Sequence, residues 1–444
     1  MQIPLYSVRS PADAEEFSAV LSGRAAVAYE NTSGAGDAVA GEVAAILEQV
    51  RSRGLEAVLE YTRRFDAPEF REEQFAPDAE TLDRAVSAVP ARDVAIMRRA
   101  WDNIRAFHEN DKEQSRIEMR PEGGIVGRLV RPVDRAGLYV PGGKGGETPL
   151  VSSLLMGAAP ALAAGVPEIA VVTPPRRDGS VNPHIAAAAC MIGLTEVYAA
   201  GSAWAAAALA YGAGPLRAVD VVAGPGNIYV AAAKRLLQGR IGIDMVAGPS
   251  EICIVADASV PPAWIAADML AQAEHDEMAS AVLICTEDAT AQAVRRELER
   301  RCAELPRRVA ALASLARYGA IVRVPDTATA MALVNRIAPE HLELAVSDPW
   351  SLLHLVRNAG AIFLGLYSAE VFGDYFAGPN HVLPTMGTAR FSSGLSVSTF
   401  CKKSSLLALN RAFAADCARD TAALARLEGL EAHAQAALCR LEDN

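Results

Sequence analysis

"EICIVADASVPPAWIAADMLAQAEHDEMASAVLICTE" spans residues 251–287 and carries the pattern that decides the fold. Its two ends are short apolar runs with many β-branched residues, which is typical of buried strands. The Ala-rich part between them, from about residue 262 to residue 277, has apolar residues at helical spacing. A helix between two strands returns the chain to the same edge of the sheet, so the strands run parallel. The stretch therefore predicts an α/β fold.

The same alternation of strand and helix continues in both directions from this unit. Further strands are predicted downstream in "AIVRV" and "GAIFLG", and upstream in "EIAVVTPP", "EVYAA" and "VDVVAGPGN". Two more are predicted within "GGIVGRLVRPVDRAGLYVPGG". Two such series predict two mainly parallel sheets, each covered by helices.

The regions outside the two series have different patterns. Residues 1–110 are predicted to be mostly helical, with Gly54 as a break between two helices. Residues 373–395 are rich in Gly, Pro and Ser, which predicts a long irregular segment of the kind that is usually functional. The tail from about residue 403 is predicted to be helical again.

The composition limits the class of protein. The chain has 444 residues, of which 51% are hydrophobic and 21% are charged, which is typical of a folded globular protein with two or three domains. Its net charge of −11 argues against nucleic acid or an anionic membrane as the main partner. Seven scattered cysteines without a C-x-x-C pair, and no visible signal segment, indicate reduced thiols in the cytoplasm.

A Glu–His doublet follows a proline in "NRIAPEHLEL", residues 335–344. One interpretation is a helix that ends at Pro339 and a short strand whose alternation sends Glu340 and His341 to opposite faces. The other is a general acid/base pair at the mouth of a site, because two titratable groups between apolar residues are costly to bury without a use. The doublet alone leaves both interpretations open.

Three further stretches concentrate polar residues. Gln272 and His275 are three residues apart near the end of the predicted helix, where both could bind one ion. Asp374 and His381 lie in the irregular segment, and Glu428, Glu431 and His433 lie in the tail. A set of His, Asp and Gln side chains suits zinc. Because no H-E-x-x-H or C-x-x-C pattern is present, metal binding and an ordinary structural role both remain open.

Two glycine-rich turns each follow a predicted strand and precede a helix. They are "YVPGGKGGETP" at residues 139–149 and "AGPGNIYV" at residues 223–230. Backbone N–H groups at such helix starts bind phosphate well. Neither turn has the G-x-G-x-x-G pattern of dinucleotide-binding folds, and tight turns that need positive φ explain either one alone.

Taken together, five motifs resemble those of the histidinol dehydrogenase family in order and spacing. The resemblance runs from about residue 28 to residue 440, nearly the whole chain. The five motifs are "IDMVAGPSE" (243–251), "AQAEHD" (271–276), "APEHLEL" (338–344), "GPNHVLPTMGTARFSSGLSV" (378–397) and "LEGLEAHAQA" (427–436).

The resemblance implies a fold similar to that of aldehyde dehydrogenases, with two incomplete Rossmann-type α/β domains and small helical terminal segments, assembled as an intertwined homodimer. It implies a main domain that carries the metal and catalytic motifs and a second domain on the cofactor side. The main domain would comprise residues 28–137 and 251–395, the second residues 138–250, the N-terminal helical segment residues 1–27, and the C-terminal helical tail, which docks on the partner subunit, residues 396–444.

The resemblance also implies the activity and the residues that carry it. The family oxidises L-histidinol to L-histidine through L-histidinaldehyde, reducing two NAD with one zinc per subunit. Glu340 and His341 would be the catalytic acid/base pair. The zinc ligands would be Gln272, His275, Asp374 and the partner subunit's His433, and the substrate would contact Ser250, Gln272, His275, His341, Asp374, Glu428 and His433. The cofactor would contact Tyr139, Asn227 and the region of Trp204, where many relatives have Gln. His381 is expected to support the ligands.

The residue types fit this chemistry. Hydride leaves an alcohol carbon only as the hydroxyl proton is removed, and His341 can accept that proton near neutral pH. The second oxidation needs water added to the aldehyde, and Glu340 can activate it. A cysteine nucleophile is the rival route, but Cys253 has apolar neighbours that indicate an inert thiol. The alternative functions are a related NAD-dependent dehydrogenase of another polyol or amino alcohol and, less favoured, a zinc hydrolase.

Overall fold

The computed structural model describes residues 3–9, 13, 15, 17 and 36–441. Within them the strands form a six-stranded, a five-stranded and a three-stranded sheet. The strands are β1 Leu5–Ser7, β2 Arg116–Met119, β3 Ile125–Pro132, β4 Arg135–Tyr139, β5 Glu168–Thr173, β6 Glu196–Ala199, β7 Val221–Ala223, β8 Gly242–Ile243, β9 Glu251–Ala256, β10 Ser280–Cys285, β11 Ala320–Arg323, β12 His341–Ala345, β13 Ala361–Leu364 and β14 Cys401–Ala408.

The two large sheets are entirely parallel, which confirms the two predicted strand–helix series. The six-stranded sheet has the order β1-β11-β10-β9-β12-β13, and the five-stranded sheet has the order β6-β5-β4-β7-β8. In the first sheet β9 and β12 are neighbours, with Ile252 opposite His341. In the second, β4 pairs with β5 on one side and β7 on the other, so the chain changes direction across the sheet at β4.

The described helices cover these sheets. They are α1 Gly36–Arg53, α2 Leu55–Phe65, α3 Ala79–Ser87, α4 Ala91–Asn110, α5 Val151–Ala164, α6 Pro183–Met191, α7 Ser202–Tyr211, α8 Ile228–Leu237, α9 Pro262–Ala273, α10 Asp288–Cys302, α11 Arg308–Arg317, α12 Thr327–Ile337, α13 Trp350–Leu353, α14 Glu370–Tyr375, α15 Arg411–Leu427 and α16 Glu431–Leu438. The predicted break between two helices at Gly54 is confirmed, since Gly54 has φ 58°, where L side chains are strained. None of the described helices is both long and apolar enough to cross a membrane.

The described part of the N-terminal segment differs from the helical prediction. Asp13, Glu15 and Phe17 are helical, but β1 forms the edge of the six-stranded sheet, where Leu5 lies opposite Ile321. An edge strand of three residues is too short for its period-two pattern to be distinguished in the sequence from helical spacing. The remainder of the predicted segment 1–27 lies outside the described residues.

The tail also contains a strand that the helical prediction for residues 396–444 missed. β14 pairs along its full length with β3, which in turn pairs with β2 to form the three-stranded antiparallel sheet. The two helices that follow β14 in the tail, α15 and α16, are helical as predicted. The strand was missed because "CKKSSLLA" has no period-two alternation and owes its conformation to pairing with a strand nearly 300 residues earlier.

Helices α1 to α4 pack with the five-stranded sheet. Buried residues such as Val43, Trp101 and Ile104 share one hydrophobic core with Leu138 and Val222 of that sheet. The two faces of the six-stranded sheet have separate cores. The early helices thus bury their apolar faces against the five-stranded sheet, while the division that groups residues 28–137 with residues 251–395 stays a prediction.

Candidate active site

The Glu–His doublet lies at the amino end of β12, next to the amino end of β9. α12 ends at Ile337, and the αL residue Ala338 closes it before Pro339 turns the chain into the strand. The predicted helix–proline–strand arrangement is therefore confirmed, and the structure shows in addition that both titratable groups are buried. His341 is 3% exposed and Glu340 is 5% exposed. Two groups buried this deeply need partners.

Hydrogen bonding fixes the orientation of the His341 ring. Its Nδ1 lies 3.0 Å from the backbone carbonyl oxygen of Glu251 and can only donate to it. The other ring nitrogen, Nε2, is buried and has no hydrogen-bond partner among the described residues. It faces two carboxylates, with Asp374 Oδ1 at 3.6 Å and Glu370 Oε1 at 3.9 Å. Nε2 is thus the atom available to exchange a proton with a ligand.

The backbone N–H of Glu251, whose carbonyl oxygen binds His341, holds the Glu340 side chain. Its Oε2 accepts a hydrogen bond of 2.8 Å from the Glu251 backbone N–H and lies 3.7 Å from His341 Nδ1. Burial raises the pKa of Glu340 to about 7, although the neighbouring imidazole opposes that shift. A carboxyl group with a pKa near neutrality is well suited to accept a proton from water.

The chain collects negative charge around one imidazole. Burial lowers the pKa of His341, but Glu340, Asp374 and Glu370 outweigh burial and raise the pKa to about 10. Glu370 itself has a pKa raised to about 9, chiefly by burial. A cation bound beside Asp374 would offset the field of these carboxylates and return the imidazole towards the neutral form that a base needs.

A group of donors suitable for such a cation is present. One ligand atom from each of His275, Glu370 and Asp374 lies within 4.8 Å of the others. Burial lowers the pKa of His275, which keeps its ring neutral and able to ligate. The group lies at the C-terminal end of α9, where the helix dipole attracts positive charge.

The Glu370 carboxylate gives an independent test of the fit. Its Oε1 accepts from the Gln272 amide nitrogen over 3.2 Å, and the Gln272 amide oxygen accepts from the Glu251 N–H over 2.9 Å. Its other oxygen, Oε2, is buried and has no hydrogen-bond partner among the described residues. A cation would satisfy that oxygen. The nitrogen and oxygen donors present therefore fit a divalent cation such as zinc.

The structure brings together most of the residues predicted for the metal and catalytic site, and adds one. Glu370 was missed by sequence reasoning, although it lies four residues before Asp374, so one short helix presents both carboxylates. α9 ends at Ala273, so His275 lies in the turn after the helix rather than on the helix face that was predicted. Ser250 immediately precedes β9, and His381 Nδ1 lies 2.9 Å from the backbone oxygen of Asp374.

The predicted tail residues are not part of this group within one chain. Glu428 caps the end of α15, and His433 lies on α16, which packs against α15. Both side chains are exposed. Cys253, the rejected nucleophile, is buried on β9, and burial raises the pKa of its thiol.

A cavity of about 680 Å³ opens beside the doublet. Its lining combines the polar side chains of His341, Asp374 and His381 with the apolar side chains of Phe107 and Phe372. The polar groups offer proton acceptors and donors, and the apolar groups limit the water around them. The cavity thus gives a small polar substrate a route to His341.

The predicted cofactor residues lie at the carboxyl ends of the five-stranded sheet. Tyr139 ends β4, and its hydroxyl accepts a hydrogen bond of 3.2 Å from the Ser202 N–H. Asn227 caps α8 by accepting from the N–H groups of Tyr229 and Val230, each at 3.1 Å. Trp204 is buried, and its Nε1 donates to Thr62 over 3.1 Å, so its ring is committed to the core.

The comparisons with known proteins agree with this geometry. A family model described as histidinol dehydrogenase matches residues 30–441. The chain belongs to the histidinol dehydrogenase family. As a member, it is an NAD-dependent oxidoreductase that oxidises histidinol in histidine biosynthesis.

Similar proteins carry the same description. Histidinol dehydrogenase of Nitratidesulfovibrio vulgaris is 59% identical over 404 residues, which cover 91% of this chain and 93% of that protein. The protein of Oleidesulfovibrio alaskensis is 56% identical and covers 89% of this chain and 91% of its own length. The crystal structure of histidinol dehydrogenase from Elizabethkingia anophelis superposes with a TM-score of 0.86 at 33% identity, covering 90% of this chain and 92% of that one.

Proposed function

We propose that the chain carries out a zinc-dependent, four-electron oxidation of L-histidinol to L-histidine, with L-histidinaldehyde as the intermediate and two NAD reduced. The observation that carries this proposal is the unpartnered Nε2 of His341 beside the donor group of His275, Glu370 and Asp374. His341 and one member of the donor group, Asp374, line the same cavity. In an alcohol dehydrogenation a base removes the hydroxyl proton, and a bound cation can hold the alcohol in position beside that base.

The zinc ligands in this proposal are Gln272, His275, Asp374 and the partner subunit's His433. When bound, the metal would supply a Lewis acid for the lone pairs of the neutral amine and imidazole nitrogens of the substrate. Ser250 and Glu428 would make the remaining polar contacts with the substrate, and the carboxylate of Glu428 would accept a hydrogen bond from its N–H groups.

His341 accepts the hydroxyl proton in the first oxidation. The donation from Nδ1–H to the Glu251 carbonyl fixes the tautomer in which Nε2 is the base. Tyr139, Asn227 and the Trp204 region would hold NAD, which would supply the hydride acceptor for each of the two oxidations. The proton on His341 can then pass to solvent through the mouth of the cavity.

Glu340 accepts a proton from water in the second oxidation. The aldehyde carbon must first gain an oxygen from water, and the resulting hydrate then has a C–H bond to lose. A pKa of about 7 leaves a large part of Glu340 ionised at neutral pH, so it can take that proton. The two residues of the doublet thus have separate tasks, although the backbone of Glu251 orients both.

We further propose that two chains form a homodimer with shared sites. This is supported by the tail, where His433 lies away from the donor group of its own chain and several leucines are exposed. Leu427 is 84% exposed and Leu424 is 63% exposed. Large apolar side chains on two small packed helices indicate a surface that is covered in an assembly. A cytoplasmic location is supported by the seven cysteines, all of which are free thiols.

The assay that tests the reaction follows NADH absorbance after histidinol and NAD are mixed. Two NADH per histidinol are expected, and a chelator should abolish the signal until zinc is returned. One NADH per histidinol, or full activity after complete metal removal, would contradict the four-electron or zinc-dependent reaction respectively. Hydrolysis without NADH would favour a zinc hydrolase.

Complementation tests the shared site. A His341→Asn chain and a His433→Ala chain, each inactive alone, should regain about a quarter of wild-type activity when reassembled in equal amounts, because half the dimers are mixed and hold one intact site of two. The matched control mixes His341→Asn with Glu340→Gln chains, whose defects lie in the same part of each chain, and should gain no activity above the partial activity that the Glu340→Gln chain has alone. Verified mixed dimers without activity in the first mixture would show that His433 serves its own chain.

A further inference from the structure

A buried ion pair lies beneath the glycine-rich turn at the end of β7, away from the catalytic cavity. Lys234 of α8 contacts Asp244, which follows β8. The Lys234 side chain is 3% exposed and that of Asp244 is 0% exposed. Removing two charges from water is costly, and apolar side chains of similar size are often as stable in such positions. Stability alone therefore does not explain why two charged side chains occupy these buried positions.

Both charged side chains form a hydrogen bond with the backbone of one residue, Gly224. The Lys234 Nζ donates to the Gly224 carbonyl oxygen over 2.7 Å, and Asp244 Oδ2 accepts from the Gly224 N–H over 2.8 Å. The backbone of Gly224 is thus held at both of its polar groups by side chains from two different elements. Charge-assisted hydrogen bonds of this kind are stronger than neutral ones.

Gly224 in turn fixes the two predicted cofactor contacts. It has φ 121°, and a Cβ atom on it would lie 2.1 Å from the backbone oxygen of Tyr139, so the turn packs directly on the end of β4. Asn227 lies three residues further on and caps α8 with its side chain. A shift of Gly224 would therefore move the turn relative to Tyr139 and Asn227 together.

We propose that Lys234 and Asp244 are positioning residues for NAD, holding the turn of residues 224–227 in its binding conformation. The inference rests on the proposed assignment of Tyr139 and Asn227 as cofactor contacts. Neither member of the pair has to touch the dinucleotide. Asn227, the last residue of the glycine-rich turn, caps the N-terminus of α8, and Lys234 lies two helical turns further along the same helix. Helix α8 therefore contacts the glycine-rich turn at two points, through Asn227 and through Lys234.

Replacing both charges separates positioning from stability. In Lys234→Met/Asp244→Asn, the new amide oxygen at position 244 can still accept from the Gly224 N–H and no unpaired charge is buried, but the donor to the Gly224 carbonyl and the acceptor for the Met245 N–H are lost. We expect the protein to fold, with a midpoint of thermal unfolding that is lowered less than in Lys234→Met, where Asp244 is left buried without its partner. The Kd for NAD, measured by calorimetry with NAD alone, should rise about 3- to 30-fold. Lys234→Met alone should weaken NAD binding and also destabilise the fold.

The matched control lies at the opposite end of the same sheet. Arg135 of β4 is also buried and pairs with the partly exposed Glu168 and Glu196, so Arg135→Met removes a buried charge and its ion pairs without touching the turn. It should lower the thermal midpoint and leave the NAD Kd within about twofold. The double variant should raise the KM for NAD while kcat at saturating NAD, the KM for histidinol and zinc content stay near wild type.

The outcomes are distinct. Unchanged NAD affinity in a folded Lys234→Met/Asp244→Asn protein would overturn the positioning role, and so would an equal loss in Arg135→Met, since that would reveal a general effect of stability. Wild-type protein that does not bind NAD at all would contradict the proposed function instead.

Discussion

The two parallel sheets present their functional residues at opposite ends. In the six-stranded sheet, Glu340 and His341 lie at the amino end of β12, beside the C-terminal end of α9. In the five-stranded sheet, Tyr139 and Asn227 lie at the carboxyl ends of β4 and β7, where α8 begins. The same alternation of strand and helix thus exposes helix C-termini at one site and helix N-termini at the other.

Because of this difference, the two regions attract ligands of opposite charge. Helix C-termini and carboxylates attract cations, whereas helix N-termini and glycine-rich turns attract phosphate groups. The first site is built from ionisable side chains, and the second mainly from backbone groups that a buried ion pair holds in place. In the proposed function, an acidic chain would bind both a metal and an anionic dinucleotide, because each would meet its own local field. Variants in one region should leave the other region's ligand bound.

The largest effect is expected for His341→Asn. It removes the base, so kcat should fall by about 10²- to 10⁴-fold, while zinc content and the NAD Kd stay near wild type. Steady-state assay, metal analysis and NAD calorimetry on the same preparation test this separation. A zinc-free variant would break the comparison, because the residue would then also hold the metal.

Glu340→Gln should affect the two oxidations unequally. We expect oxidation of supplied histidinaldehyde to fall about 10²-fold or more, with histidinol still oxidised to the aldehyde level, since only the second step needs activated water. The ratio of NADH to histidinol should drop from two towards one. Glu343→Gln, which changes another buried carboxylate on β12, is the control and should leave the ratio unchanged. Equal losses in both steps for Glu340→Gln would contradict the division of tasks.

Glu370→Gln should weaken zinc binding about 10- to 100-fold without altering NAD affinity, because the residue lies beside Gln272, His275 and Asp374. Competition with a chromogenic chelator measures this. Glu274→Gln, next to His275 in the chain but outside the donor group, is the matched control and should retain the metal. Wild-type zinc affinity in Glu370→Gln would remove Glu370 from the site.

The smallest effect concerns His108, which lies between the two regions. Its Nε2 accepts from the Asn380 amide at 3.2 Å, and that amide also donates to the Met156 carbonyl. Burial lowers the pKa of His108 to about 4 from 6.5. The folded form binds its proton less readily than the unfolded chain, so this stability is present above pH 6.5 and is lost as pH falls towards 4.

His108→Gln should therefore flatten the acid side of the stability profile. Between pH 6.5 and pH 4.5, the wild type should lose about 2 kcal/mol more free energy of unfolding than the variant. Urea unfolding at a series of pH values measures the difference. Parallel profiles would show that His108 does not titrate with folding, and that the contact between the two regions is insensitive to its charge.

The sequence predicted the two parallel sheets correctly because strand and helix periodicities are local. Apolar runs such as residues 251–256 and 280–285 are stable when both of their faces are buried, which is the environment of a parallel strand. The doublet and the stretches that contain Gln272, His275 and Asp374 were also visible, since each is a contiguous polar motif, and the assignment of these three residues as zinc ligands stays a prediction. The β14 strand and the packing of α1 to α4 were not, because each depends on a partner far away in the chain.

By itself, the sequence determined the α/β class, the order of the elements and the polar motifs, since these follow from which side chains neighbour each other along the backbone. Only the tertiary structure decided that Glu370 joins His275 and Asp374, and that Lys234 and Asp244 meet at Gly224. Those side chains become neighbours only when helices and strands pack, and the cost of burying their charges then selects the partners that they find.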